Sequence, residues 1–135
     1  MIFFLDDNFL LYRAISQGTS TEMAENVDKY LKLGYRKFQL KVGGNVCDDI
    51  ARIRAVRELL DRKTLELRES SKAKIRSEGS LKIGEYDESN IYLPLLCDAN
   101  TGWLQHQAIQ VIIILEFLYF NFSNSISILQ FLYFT

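Results

Sequence analysis

The sequence predicts an α/β fold in which parallel strands alternate with helices, about three strand–helix units in all. Three observations lead there. Residues 37–45, KFQLKVGGN, set apolar Phe38, Leu40 and Val42 against polar Lys37, Gln39 and Lys41, and end in Gly43-Gly44. That is the period of a strand, closed by a loop. Stretches with helical spacing lie before and after it. Residues 92–97, YLPLLC, form a continuous apolar run, as expected of a buried parallel strand. Strands and helices in this order, joined by short connections, have the rhythm of a parallel sheet with helical crossovers.

Residues 1–11 carry little pattern and are expected to be irregular. YRAIS, residues 12–16, is a short strand candidate, with Tyr12, Ala14 and Ser16 alternating against Arg13 and Ile15. Gln17-Gly18 turns the chain. Thr19 followed by Glu22 has capping-box spacing, so a helix starts there. Met23, Val27, Tyr30 and Leu31 make its apolar face, and Gly34 is placed to end it in a left-handed cap.

After the strand over 36–42, Asn45 can cap a second helix, with Asp48 and Asp49 favouring the positive end of its dipole. Ile50, Ile53, Val56, Leu59 and Leu60 continue the apolar face, while Arg52, Arg54 and Arg57 read as an ordinary solvated face. This helix is expected to end near Asp61. Residues 12–61 thus hold two strand–helix units.

Residues 62–90 are charged and rich in serine, and read as a solvated insertion or disordered loop. Residues 91–110 hold the third strand and the start of a helix from Gln105, with Pro94 awkward in a central strand. From Val111 to the end the composition narrows to Ile, Leu, Phe, Tyr, Asn and Ser. It shows neither alternation nor a helical stripe, so 111–135 reads as a low-complexity apolar tail.

The chain has 135 residues and a net charge of −1, so nothing electrostatic suggests nucleic acid. Cys47 and Cys97 lie far apart without metal-ligand spacing, which argues against a disulfide framework or a zinc site and for a reducing, cytoplasmic setting. One histidine, His106, excludes a histidine-rich metal site. The N-terminus carries Asp6 and Asp7 and no basic region, so a signal peptide is not expected. Glu116 and the polar residues from Asn121 onward interrupt the apolar tail, so a membrane span is not expected either.

Two residues are placed for chemistry. Lys41 and Asp98 each sit at the carboxyl end of a strand, where parallel α/β proteins keep their sites. Taken alone, Lys41 reads as a surface lysine and Asp98 as a turn cap ahead of Asn100 and Gly102. Gly43-Gly44 is a weak phosphate signal and a simple turn is favoured. Trp103 reads as a packing residue and His106 as an exposed residue of the third helix.

The wording YRAISQ, GYRKFQLKVGG and CDANTGW, in that order, resembles the enolase superfamily in its mandelate racemase/muconate lactonizing enzyme branch, in particular hydroxyproline-betaine epimerase-like proteins. The resemblance covers about 11–61 and 95–111. It implies that the chain is a fragment, about the first three units of a (β/α) TIM-type barrel, since a whole barrel takes ~250 residues.

It further implies a magnesium-dependent racemase or epimerase acting on a small carboxylate, an amino-acid or proline-betaine derivative, with homo-oligomeric intact relatives. Lys41 would be the proton-abstracting base and Asp98 the first of three acidic ligands to magnesium. Asn100 would position lysine or substrate, and Gln39, which stands where the general pattern has a first lysine, would bind substrate. A divalent cation would stabilise the enediolate left when an α-proton is removed.

The familiar wording stops after Gln110. Only Glu116 is acidic beyond it, and the last lysine is Lys82, so this chain alone is expected to be inactive. Lys41 and Asp98 are 57 residues apart, where one strand–helix–strand step takes roughly 30. The excess matches the charged insertion. A dehydratase or cycloisomerase of the same superfamily is one alternative. A non-catalytic interaction or membrane-associated module using the apolar tail is another.

Overall fold

A computed structural model describes residues 12–78 and 92–120. The elements run β1 (Arg13–Ile15), α1 (Ser20–Lys32), β2 (Phe38–Lys41), α2 (Val46–Glu78), β3 (Leu95–Asp98) and α3 (Gln105–Phe120). The strands form one parallel sheet in the order β1-β2-β3. Ile15 pairs with Leu40, and Leu40 in turn with Cys97. The expected alternation of strands and helices is therefore present. Among the described residues there is no closed barrel: their three strands leave β1 and β3 as the sheet's edges.

Strand alternation decides what each sheet face carries. Ile15, Phe38, Leu40, Val42, Leu95 and Cys97 are buried on one face. Met23, Val27 and Leu31 of α1, Ile53, Val56 and Leu60 of α2, and Ala108, Val111 and Leu115 of α3 join them in one core. The other face carries exposed Ala14 and half-buried Gln39, Lys41, Leu96 and Asp98. The result is two layers, helices on one side of the sheet and the polar side chains on the other.

Local signals explain the helix ends. Thr19 and Glu22 form the reciprocal capping box: the Glu22 N–H donates to Thr19 Oγ1 at 3.2 Å, and the Thr19 N–H to Glu22 Oε2 at 2.9 Å. At the other end of α1, Gly34 takes φ +98°, the left-handed conformation that the sequence assigns to it. Asn45 Oδ1 accepts from the N–H groups of Cys47 and Asp48 and so caps α2. Pro94 lies one residue before β3, so its missing N–H costs no ladder bond, and its carbonyl accepts from Phe38 N.

Two boundaries differ from expectation. α2 does not end at Asp61 but runs to Glu78, so residues 62–78 of the expected loop are helical. The stretch contains no glycine or proline, and its inward stripe continues from Leu60 through buried Thr64, half-buried Leu67 and buried Ser71. Thr64 satisfies its hydroxyl on the carbonyl of Leu60 at 2.8 Å, which lets a polar residue sit on that stripe.

The second difference is α3, which continues ten residues into the expected tail. Ala108, Val111 and Leu115 pack inward, while Ile109, Ile113 and Phe117 stay exposed. Apolar residues on both sides of one helix hide its stripe from a reading of periodicity. The expected irregular N-terminus (1–11), the remainder of the insertion (79–91) and of the tail (121–135) lie outside the described residues. Among the described residues no helix is long and apolar enough to cross a membrane.

Candidate active site

Parallel register brings the two candidate residues together. Lys41 and Asp98 are direct partners at the last rung of the β2–β3 ladder. Both point to the face away from the helices, because each lies one residue from a buried neighbour, Leu40 and Cys97. Lys41 Nζ donates to Asp98 Oδ2 at 2.5 Å, and the side chains are 36% and 15% exposed. Gln39, two residues back along β2, donates from Nε2 to the same oxygen at 2.7 Å. The backbone N–H of Asn100 donates to Asp98 Oδ1 at 3.1 Å. The Lys41 ammonium, with the Asn100 and Gln39 donors, holds the Asp98 carboxyl below its ordinary range against the opposing effect of burial.

Asn100 thus stands at the rim, where its main chain rather than its amide touches Asp98. It takes φ 44°, followed by Thr101 at φ 64°. Two successive left-handed residues turn the chain sharply after β3, and asparagine tolerates that conformation well. His106 is exposed on α3, as the sequence implies.

A second carboxylate lies behind the rim. Asp49 is fully buried in the first turn of α2. Its Oδ2 accepts from the Gly43 N–H at 3.0 Å and from Trp103 Nε1 at 2.7 Å. Its Oδ1 accepts from an Arg52 guanidinium nitrogen at 2.8 Å, and Arg52 Nε donates to the Gly18 carbonyl at 2.6 Å. Gln17 Nε2 completes the ring of contacts on the Gly43 carbonyl at 2.8 Å.

Nothing in the helix-dipole reading of Asp48 and Asp49 separates these two residues. The missed signal is spacing: positions 49, 53, 56 and 60 form one stripe, so Asp49 falls among Ile53, Val56 and Leu60. Trp103 is a packing residue as expected, and a hydrogen-bond donor besides.

The arginines of α2 are not one solvated face. Arg54 is exposed and pairs with Glu58, whereas Arg57 is buried. Arg57 donates to the Leu93 carbonyl at 3.0 Å and to Asp61 at 2.9 Å, and so anchors the chain where it enters β3. A charged residue at a helix position facing an incoming strand needs such partners, and only the packing reveals that the strand is there.

No family model matches the chain. It is 38% identical over 106 residues to a cis-3-hydroxy-L-proline dehydratase from Roseibium aggregatum, a match covering 78% of this chain and 21% of that protein. Its fold is similar to that of an N-succinyl Arg/Lys racemase from Bacillus cereus, with a TM-score of 0.55 and 23% identity over 82% of this chain and 22% of the other. It is also similar to an enolase-superfamily member from Roseovarius nubinhibens, with a TM-score of 0.51 and 22% identity, covering 77% and 21%. A third solved structure is a dipeptide epimerase from Enterococcus faecalis complexed with magnesium and a dipeptide, with a TM-score of 0.50, 22% identity and coverage of 81% and 23%. The chain spans about a fifth of the length of these proteins. In sequence and in fold, the chain resembles the enolase superfamily over one segment of its members.

Proposed function

We propose that this segment supplies the base and one carboxylate of an enzyme that removes the α-proton of a small carboxylate substrate. The observation that carries the reading is the Lys41–Asp98 pair, side by side at the carboxyl rim of parallel strands. Lys41 is the base. Asp98 orients it, and Gln39 shares the same carboxylate oxygen, which leaves the Gln39 carbonyl oxygen to meet a substrate donor. Asn100 stands exposed at the same rim, with its backbone N–H on Asp98. To act, the Lys41 amine must be neutral and turn its lone pair from Asp98 toward the substrate α-carbon.

The described residues do not by themselves fit a magnesium centre. That ion takes several oxygen ligands in near-octahedral geometry. Here both Asp98 oxygens already accept hydrogen bonds, and no group of three or more His, Cys, Asp or Glu side chains stands together among the described residues. Magnesium would need further oxygen ligands from outside the described residues, and Asp98 would have to give up the Lys41 contact to serve as one of them.

Racemisation or epimerisation is the first reading, following the racemase and epimerase folds. It needs a second base on the far side of the α-carbon, and this chain has no lysine after Lys82. The 38% identity to a hydroxyproline dehydratase favours a second reading, in which loss of a β-hydroxyl follows the same proton abstraction. Both share the step assigned to Lys41.

The test places residues 12–120 in the frame of the Roseibium aggregatum dehydratase, in exchange for the matching segment. Exchange of the substrate α-proton in D2O is then followed by NMR. A folded hybrid is expected to exchange, and Lys41→Ala to lower the rate by about 100-fold or more. A folded hybrid that does not exchange, or a Lys41→Ala hybrid as fast as its parent, overturns the assignment.

A further inference from the structure

The loops that leave the three strands are tied together from beneath by Asp49. Gly18 follows β1, Gly43 follows β2 and Trp103 follows β3. Asp49 reaches the second and third directly and the first through Arg52. Its stripe neighbours Ile53, Val56 and Leu60 are all core residues, so an apolar side chain would suit this position as far as burial is concerned. A buried carboxylate is costly to desolvate, and well-packed apolar replacements of buried charges are often no less stable. What an apolar side chain lacks is acceptors for the Gly43 N–H, the Trp103 indole and Arg52 at once.

Two glycines belong to the same arrangement. A methyl group on Gly102 would come within 2.8 Å of Gly43 Cα, and one on Gly43 within 2.9 Å of the Ala99 carbonyl. The loops after β2 and β3 therefore run in backbone contact directly above the clamp. Lys41 lies two residues before Gly43, and Asp98 four before Gly102. The Val42 N–H continues the ladder onto the Asp98 carbonyl at 3.0 Å.

We propose that Asp49 is a positioning residue: by holding the Gly43 and Trp103 loops on one carboxylate oxygen, it fixes the Lys41 ammonium against Asp98. The role takes its purpose from the assignment of Lys41 as base. It makes no use of substrate, so the two ideas fail separately.

The test uses the full chain, labelled with nitrogen-15. The Lys41 ammonium is expected to give a protected 1H–15N signal, identified by its loss in Lys41→Arg. The chain's one tryptophan reports on the clamp through its indole N–H. Asp49→Asn keeps the size of the side chain but turns a donor toward one of the three N–H groups. It should shift the indole signal and speed exchange at the Lys41 ammonium about tenfold, as expected when a charge-assisted hydrogen bond is released. Trp103→Phe keeps the ring packing, removes the donor and should move Lys41 in the same direction, with helix content by circular dichroism unchanged. A parent chain with no protected Lys41 ammonium overturns the proposal. So does an unchanged Lys41 signal in folded Asp49→Asn, or in Trp103→Phe should Asp49→Asn not fold. If Lys41 is released while the hybrid dehydratase shows no proton exchange, the clamp stands and the assignment of Lys41 as base falls.

Discussion

Asp98 accepts three hydrogen bonds, two on one oxygen, and its carboxyl is held below the ordinary range chiefly by the Lys41 ammonium. A carboxyl whose folded pKa lies below its unfolded value of about 3.9 adds stability at higher pH, and loses it as pH falls through the folded value. Asp98→Asn should therefore flatten the acid side of the stability curve below about pH 4, with little effect on its shape near neutrality. The size is about 1 kcal/mol or less, because Lys41 is 36% exposed and water screens the pair. Urea unfolding at a series of pH values measures it.

The two cysteines differ in the same local way. Burial, with Asp49 adding to it, pushes the Cys97 thiol up to about 12, whereas Cys47 is exposed. Iodoacetamide at pH 8 should label Cys47 in the native chain and leave Cys97 until the chain is unfolded, as mass spectrometry would show. Equal labelling of both would contradict the burial of β3.

Helix α1 owes its start to Thr19, and Thr19→Ala removes the half of the capping box that its hydroxyl makes while leaving its backbone N–H on Glu22. A loss of about 1 kcal/mol is expected. In a unit of this size that lowers the melting temperature by about 4–8 °C. Helix α3 offers a contrast within one element. Leu115→Ala should cost about 2–5 kcal/mol, since Leu115 is fully buried, whereas Ile113→Ala should stay within about 0.5 kcal/mol, since Ile113 is 59% exposed. Equal effects would mean that residues after Gln110 do not dock on the core. The starts of α1, α2 and α3 were all legible in the sequence, because capping and turn residues act within a few positions of themselves. The ends of α2 and α3 were not. Thr64 and Ser71 look like loop residues until tertiary packing buries them, and the mixed faces of α3 have no period to read.

The two-layer arrangement bears directly on activity. One sheet face carries the core, and the other carries Gln39, Lys41 and Asp98 with no helix of the described residues over it. On the proposed reading, a substrate there would meet a single base, Lys41, beside the Asp98 carboxylate. The purified chain, given magnesium and candidate carboxylates in D2O, is expected to show no exchange of an α-proton by NMR. Exchange that Lys41→Ala abolishes would prove this wrong.

Strand alternation and the helix signals were enough to put Lys41 and Asp98 at strand ends, and to bury Phe38, Leu40 and Val42 together. These features depend on residues two to four positions apart, and the chain states them directly. Only the folded chain decided that β2 and β3 pair in the register that sets Lys41 beside Asp98, that Asp49 lies inside while Asp48 lies outside, and that Arg57 anchors β3 rather than facing water. Each of those follows from contacts between residues dozens of positions apart, and the energy of burying a charge depends on partners that no local pattern names.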